Sequence, residues 1–314
     1  MLKFLGKRLL ALIPIFFGVT IITYGLMYLS PSDPITMMLE AKGAVVNPEL
    51  VEEMREQAGL DQPFIVQYAN WLKDILLHFD FGTSYQSGEP VLTRMLTALP
   101  NTLKLAFGSM IVTVVISIPL GFVAATHQDG ILDIVIRVLT FIGTALPNFF
   151  LSLMLIYVFA LKMEWLPVLA SGTWKGLILP IVTLSVAMIS KYVRQIRVIV
   201  LDELEKEYVI GARSRGLRES TIMYKNVLKN AMIPIVTLIA LSIGSLLGGT
   251  AIVENIFVYP GLGKMVLDAI NFRDYTVIQG FVVWISMIFV LINLLTDLTY
   301  GLLDPRVKVG QKGR

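Results

Sequence analysis

The sequence predicts an all-α protein built into a membrane by six spanning helices, and three observations carry that prediction. Hydrophobic residues make up 55% of the chain and charged residues only 16%, whereas about a quarter of a soluble domain is charged. Mean hydropathy is +0.74. Apolar runs also recur near the length of about 20 residues that a hydrocarbon core demands of a helix. By length alone the 314 residues could make two soluble domains, but these runs overrule that reading.

The first run extends from Leu9 to Leu29 behind the basic residues Lys3, Lys7 and Arg8. It is too long for a secretory signal and ends in Leu-Ser-Pro-Ser-Asp-Pro without a small-x-small cleavage site, so it reads as a retained anchor. The others run from Leu103 to Ala125, Val138 to Leu161, Leu177 to Val193, Ile233 to Val253 and Ile278 to Leu298. The fourth is the shortest and carries Lys191 near its end. An N-terminus in the cytoplasm puts segments 1–8, 126–137, 191–232 and 299–314 inside, with 17 of the 26 Lys and Arg. That asymmetry predicts both termini inside.

Several spans contain or border helix breakers: Pro14, Pro119, Pro147, Pro180 and Pro234, with glycines at Gly244, Gly248 and Gly249. Irregular backbone at membrane depth is tolerated where neighbours or a wet cavity satisfy it, which suits a bundle around a pathway. The plainer reading is that Pro and Gly are common in spanning helices.

Composition excludes several chemistries. The chain has no cysteine, so disulfides, thiol catalysis and thiolate zinc sites are out. Its two histidines, His78 and His127, have no ligand spacing, so no metal site is expected. The net charge of +3 and the flanking positions of the bases suit a lipid bilayer rather than nucleic acid.

Residues 30–100 are more polar and predict a small cap outside the membrane. Asn47 is an N-cap candidate with Pro48 at the first helical position, Glu49, Glu52 and Glu53 follow, and Gly59 is a stop. A second helix begins at Pro63, with Phe64, Ile65, Tyr68, Trp71, Leu72 and Ile75 sharing a face. Such a cap suits either docking of a delivery protein or a plain structural lid. Asp80-Phe81-Gly82 imitates the kinase magnesium motif, but no Gly-rich or catalytic loop accompanies it.

The segment 194–232 is the most informative. Asp202, Glu203, Glu205 and Glu207 precede Arg213 and Arg215, the charge order that complements a helix dipole. Gly216 then ends the helix through a left-handed turn. Glu219 or Ser220 starts a second helix leading to Pro234 at the membrane. The prediction is a short helix lying across the cytoplasmic face, able to transmit a push between two spans.

This segment resembles the coupling loop of ABC-importer permeases, whose general pattern is Glu-Ala-Ala, three residues, Gly, and later Ile-x-Leu-Pro. Ala212, Gly216 and Pro234 match it, while Ile210 and Gly211 replace the first Glu and Ala. Both that departure and the longer Gly-to-Pro interval agree with the peptide/nickel branch, which Tyr208, Ala212, Arg213, Arg215, Gly216, Leu217, Asn230 and Ala231 also fit. Asp80-Phe-Gly-Thr-Ser-Tyr85, Leu99-Pro-Asn-Thr-Leu103, Ala145-Leu-Pro-Asn-Phe149, Val253-Glu-Asn-Ile-Phe257, Tyr259-Pro-Gly-Leu-Gly263 and Leu303-Asp-Pro-Arg306 are similar to that family's B-type subunit.

The resemblance implies the type I permease fold in a bacterial or archaeal cytoplasmic membrane. It implies that Glu207, Tyr208, Ala212, Arg213, Arg215, Gly216 and Leu217 couple to a cytoplasmic ATPase, and that Pro147, Asn148, Glu254 and Asn255 belong to the translocation path. It also implies a homologous C-type permease subunit, two ATPase subunits carrying ATP and Mg, and an external substrate-binding protein, with no cofactor in this chain. The nearest approach to a phosphate-binding loop, Gly261-Leu-Gly-Lys-Met265, lacks the required pattern. The cargo stays open between nickel, a metal chelate and short peptides.

Four residues complete the reading. Asp297, the one acid well inside an apolar span, suits an interfacial or helix-pairing role better than a relay. Lys191, Arg194 and Arg197 share a helical face and snorkel to the inner headgroups. The rival function is an ion-gradient-driven secondary transporter, which would carry mid-membrane acids and an internal repeat. A hydrolase would need a paired-aspartate, Ser-His or zinc constellation, and none is seen.

Overall fold

Prolines and glycines mark several of the starts and stops of the helices in this chain, while other prolines lie inside them. The computed structural model describes residues 2–30, 33–41, 43–170 and 173–303. The surroundings of Asp297 and Gly244 and the tail from 304 lie outside the described residues. Among the described residues there is no strand, only one isolated bridge between Thr83 and Pro90. The chain divides into two units, residues 1–101 with 260–294 and residues 102–259 with 295–314.

In the first unit, helix α1 (Leu2–Tyr28) continues through Pro14. The short helices α2 (Pro34–Ala41), α3 (Pro48–Gln57) and α4 (Phe64–Lys73) follow, and α4 widens into a π-type turn over Asp74–His78. The Asn47 side chain accepts from the Glu49 N–H, and Gly59 takes φ +67°, as predicted for the ends of α3. Tyr24 of α1 lies 5.2–5.8 Å from the rings of Phe64, Tyr68 and Trp71. Offset and edge-on rings at this spacing add to simple burial. Ile65 is 75% exposed, so the expected apolar face of α4 is narrower than the sequence suggests. The helix turns its aromatic side, with Leu72, inward and leaves Ile65 out.

The same unit holds the start of α5 (Val91–Thr126), α12 (Leu262–Asn271) and most of α13 (Tyr275–Leu303). The helix that holds the expected second span starts before Leu103, at Val91, and runs on through Pro100. Asp274, 1% exposed, accepts from the Ser84 hydroxyl at 2.5 Å, and Ser84 accepts from Arg94 at 2.7 Å. The Asp80-Phe81-Gly82 stretch is a turn in which Asp80 accepts from the Gly82 N–H and Phe81 is buried.

In the second unit, α5 continues to Thr126 and is followed by α6 (Ile131–Ala145), α7 (Asn148–Leu155, widening over Ile156–Lys162) and α8 (Ile178–Leu204), which is entered by a 3-10 turn at Trp174–Leu177. The span expected from Val138 to Leu161, with Pro147 as a breaker inside it, is built of two helices bent by 101°. Proline has no N–H to donate and pushes the preceding residue out of the α region. Leu146 accordingly sits at φ −77°, ψ 121°.

Next come α9 (Glu207–Ser214), α10 (Glu219–Thr221), a π-type segment at Ile222–Val227, and α11 (Leu228–Ile256). Pro234 lies inside α11, so the helix expected to lead up to it runs without a break into the fifth apolar run. Among the described residues, α5 and Trp174–Leu204 are long and apolar enough to cross a membrane, as is the bent pair if it counts as one span.

Candidate functional site

The predicted short helix between two spans exists, and its limits follow from local chemistry. Helix α8 ends at Leu204 and Lys206 is extended, so Asp202 and Glu203 close α8 instead of opening α9 as expected. Only Glu207 stands in the first turn of α9, with Arg213 in its last, which leaves one charge at each end of the dipole. Glu203 is buried and accepts from Lys206 and from the Tyr208 hydroxyl at 3.1 Å, tying the start of α9 to the end of α8. Burial, more than any other influence, raises the pKa of Tyr208, and Asn230 hydrogen-bonds the same group.

Two residues one turn apart anchor α9. Val209 and Ala212 are 0% and 1% exposed and pack in a cluster with Tyr192, Ile196 and Val200 of α8 and Ala231 and Ile235 of α11. Burying a valine fully is worth roughly 1.5–3 kcal/mol. The other side of α9 is open. Glu207, Arg213, Arg215 and Gly216 are exposed, and Ile210, Leu217 and Tyr224 are apolar residues at 56%, 44% and 64% exposure.

The helix ends in a reversed turn. The Gly216 N–H donates to the Arg213 carbonyl at 2.9 Å, the Leu217 N–H donates to the Ala212 carbonyl at 3.3 Å, and Gly216 has φ +74°. This is the Schellman arrangement, which needs a left-handed residue at that position. A Cβ on Gly216 would meet nothing within 4 Å, so only the backbone conformation demands glycine. Across the turn Arg213 forks onto Glu219 at 2.5 Å and 3.2 Å, and that guanidinium lowers the pKa of the Glu219 carboxyl.

Helix α8 also carries an acid–base pair that the sequence reading missed. Asp133 of α6 is fully buried and receives both Arg197 donors at 2.7 Å. Arg137 stands 3.5 Å from the same carboxylate. Arg197 therefore does not snorkel to headgroups as expected. Three-residue steps fall about 60° short of a full turn, so Lys191, Arg194 and Arg197 spread across roughly 120° of the helix. The last of them reaches α6. Asp133 falls in the predicted inside segment 126–137, and its i, i+4 spacing to Arg137 is a legible sign of a helix.

Helices α6 and α8 also approach closely, since a Cβ on Gly143 would lie 2.2 Å from the Ser190 hydroxyl.

The other expected site residues are scattered. Pro147 and Asn148 form the corner between α6 and α7, exposed and half-buried respectively. Glu254 is fully buried near the end of α11 and accepts from Thr102 at 2.7 Å, while neighbouring Asn255 is exposed. Among the described residues no group of three or more His, Cys, Asp or Glu could hold a metal.

Known proteins match along the whole chain. Residues 117–309 match the family described as binding-protein-dependent transport system inner membrane component, and residues 1–106 match the corresponding N-terminal family. The dipeptide transport system permease protein DppB of Alkalihalophilus pseudofirmus is 34% identical over 98% of this chain and 100% of its own length. The metal-staphylopine import system permease protein CntB of Staphylococcus aureus is 35% identical over 99% and 100%. The nickel import system permease protein NikB of the same species is 36% identical over 98% and 92%. Among solved structures, an inward-facing MetNI methionine ABC transporter chain superposes with a TM-score of 0.59 at 20% identity, covering 69% of this chain and 99% of that one. At that identity the likeness speaks for the fold alone.

Proposed function

Because the chain belongs to the binding-protein-dependent transport system inner membrane components, we propose that it lines the path by which an ATP-driven importer takes up short peptides, nickel or a metal chelate. It is a membrane permease subunit and not itself an enzyme. In this reading a homologous C-type subunit completes the pore, two cytoplasmic ATPases drive it, and an external binding protein delivers the cargo. Both termini lie in the cytoplasm of a bacterial or archaeal cell, as the distribution of Lys and Arg supports.

The observation that carries the mechanism is α9, anchored on one side by Val209 and Ala212 and open on the other. An ATPase that grips Glu207, Ile210, Arg215 and Leu217 would pull on α8 through Tyr208 and Glu203, and on α11 through the shared apolar cluster. Pro147, Asn148 and Asn255 then border the path, and Glu254 holds the end of α11 in place through Thr102.

Gly216→Val in the complete reconstituted transporter tests the coupling. A left-handed β-branched residue costs about 1–2 kcal/mol or more. The expected result is a normally inserted complex that still hydrolyses ATP while uptake is lost, because the distorted turn no longer presents α9 to the ATPase. Undiminished uptake would refute the role of α9.

A further inference from the structure

Arg197 has its partner in Asp133, but Arg194 and Lys191, about one and two turns earlier on α8, have no acidic partner among the described residues. Both are exposed, and both line an open-sided cavity of about 740 Å³. Thr144, Val198 and Leu238 contribute to its walls, as does Gln195, whose Oε1 is buried without a hydrogen-bond partner. None of the cavity's walls is acidic.

Position makes this composition informative. Lys191 is about 20 Å along α8 from Ile178 at ~1.5 Å per residue, at the inner end of the span expected over Leu177–Val193, where a path through the bundle would open to the cytoplasm. The Lys191 ammonium stands 5.7 Å from the centre of the Tyr192 ring, but neither it nor Arg194 has a counter-anion among the described residues, and two such cations repel a bare divalent metal ion and attract an oxyanion. The Arg194 guanidinium presents a fork matched to a carboxylate, while Lys191 adds a mobile point charge. The unpartnered Gln195 oxygen requires a donor, and an amide or ammonium N–H beside the carboxylate supplies one.

We propose that Lys191, Arg194 and Gln195 form a way-station for the cargo, binding a solute in which a carboxylate lies next to an N–H group. Peptides and amino-acid-based metal chelates share that chemistry, and an unchelated metal ion lacks it. The inference rests on the importer reading and narrows its substrate class. A lipid phosphate is the other oxyanion that two such cations could hold.

The absence of cysteine allows a direct test in the complete transporter reconstituted in liposomes. Val198→Cys puts one thiol in this chain, in the cavity wall. Its modification rates by a sulfonate-bearing and a trimethylammonium-bearing methanethiosulfonate report the local charge. The anionic reagent should react faster by about tenfold or more, as charged clefts concentrate counter-ions. Adding Lys191→Gln and Arg194→Gln should abolish that preference.

Dialanine should protect the thiol better than its C-terminal amide does, equally in phosphatidylcholine vesicles and in vesicles containing phosphatidylglycerol. Equal rates for the two reagents, or equal protection by peptide and amide, would overturn the proposal. So would blocking of the thiol only where phosphatidylglycerol is present, which would assign the site to a lipid headgroup. Anion preference without ATP-driven uptake would count against the importer reading alone, and uptake without anion preference against this site alone.

Discussion

Two turns in the second unit share one hydrogen-bond pattern and differ in the residue at the crux. After α9, Gly216 takes the left-handed position and Leu217 bonds back to Ala212. After α11, Val258 takes it at φ +52°, and Tyr259 bonds back to Glu254 at 2.7 Å. A left-handed β-branched residue is a genuine outlier. The first turn is made by a residue that prefers it, while the second is imposed by its surroundings. Phe257 and Tyr259 are 1% and 5% exposed in one cluster with Leu105 and Val253, and the Phe257 carbonyl accepts from Ala170. The turn after α9 has no such cluster around it, since Arg215, Gly216 and Leu217 are all exposed. Glycine therefore marks a turn that its sequence specifies locally, and valine marks one that tertiary packing holds.

The largest effect that distinguishes them comes from the residue before the crux. Phe257→Ala should cost about 3–5 kcal/mol, by loss of buried area and creation of a cavity. Arg215→Ala, the equivalent change at the other turn, should stay within about 0.5 kcal/mol. Thermal unfolding of the detergent-solubilised transporter measures both, and similar costs would erase the distinction.

Next in size is Val258→Gly. It removes a left-handed penalty of about 1–2 kcal/mol but adds roughly 0.5–1 kcal/mol of chain entropy, so a net gain below about 1.5 kcal/mol is expected. A lower melting temperature would mean that Val258 carries no strain.

The smallest effect is the pH response of the exposed Arg213–Glu219 bridge across the glycine turn. The folded-state pKa of Glu219 is depressed, so the bridge contributes fully above the unfolded carboxylate value and is lost as pH falls through the folded one. With the two side chains 47% and 53% exposed, the contribution is below about 1 kcal/mol. Glu219→Gln should flatten that acid-side dependence in the same melting measurement, and an unchanged profile would remove the bridge from the account.

These contrasts also explain what could be read in advance. The limits of α3 and the end of α9 were legible because each acts locally, Asn47 through its side-chain cap on the Glu49 N–H and Gly59 and Gly216 through their own backbone. The turn at Val258 was not, because nothing in a valine signals positive φ. The corner at Leu146-Pro147 was readable as a breaker but not as a bend of 101°, since a proline inside α1 or α11 interrupts neither helix. Arg197 was noticed, yet its function depended on Asp133, 64 residues away, and pairing over such a separation leaves no periodic trace. The residues of the coupling segment stood out as a contiguous string, whereas the cavity at Lys191 and Arg194 draws on three helices and became visible only once they were folded.

The Asp133–Arg197 pair restricts how α6 and α8 can ever slide. Displacing one past the other would strand a carboxylate away from water and from its cation, at a cost of the order of 3–5 kcal/mol. At Gly143 the crossing also has no room for a different side chain. The two helices are in effect riveted at two points, so a tug arriving at the end of α8 is delivered to α6 without slack. The give in the machine then has to be found in the elbow at Leu146-Pro147, where no rivet stands.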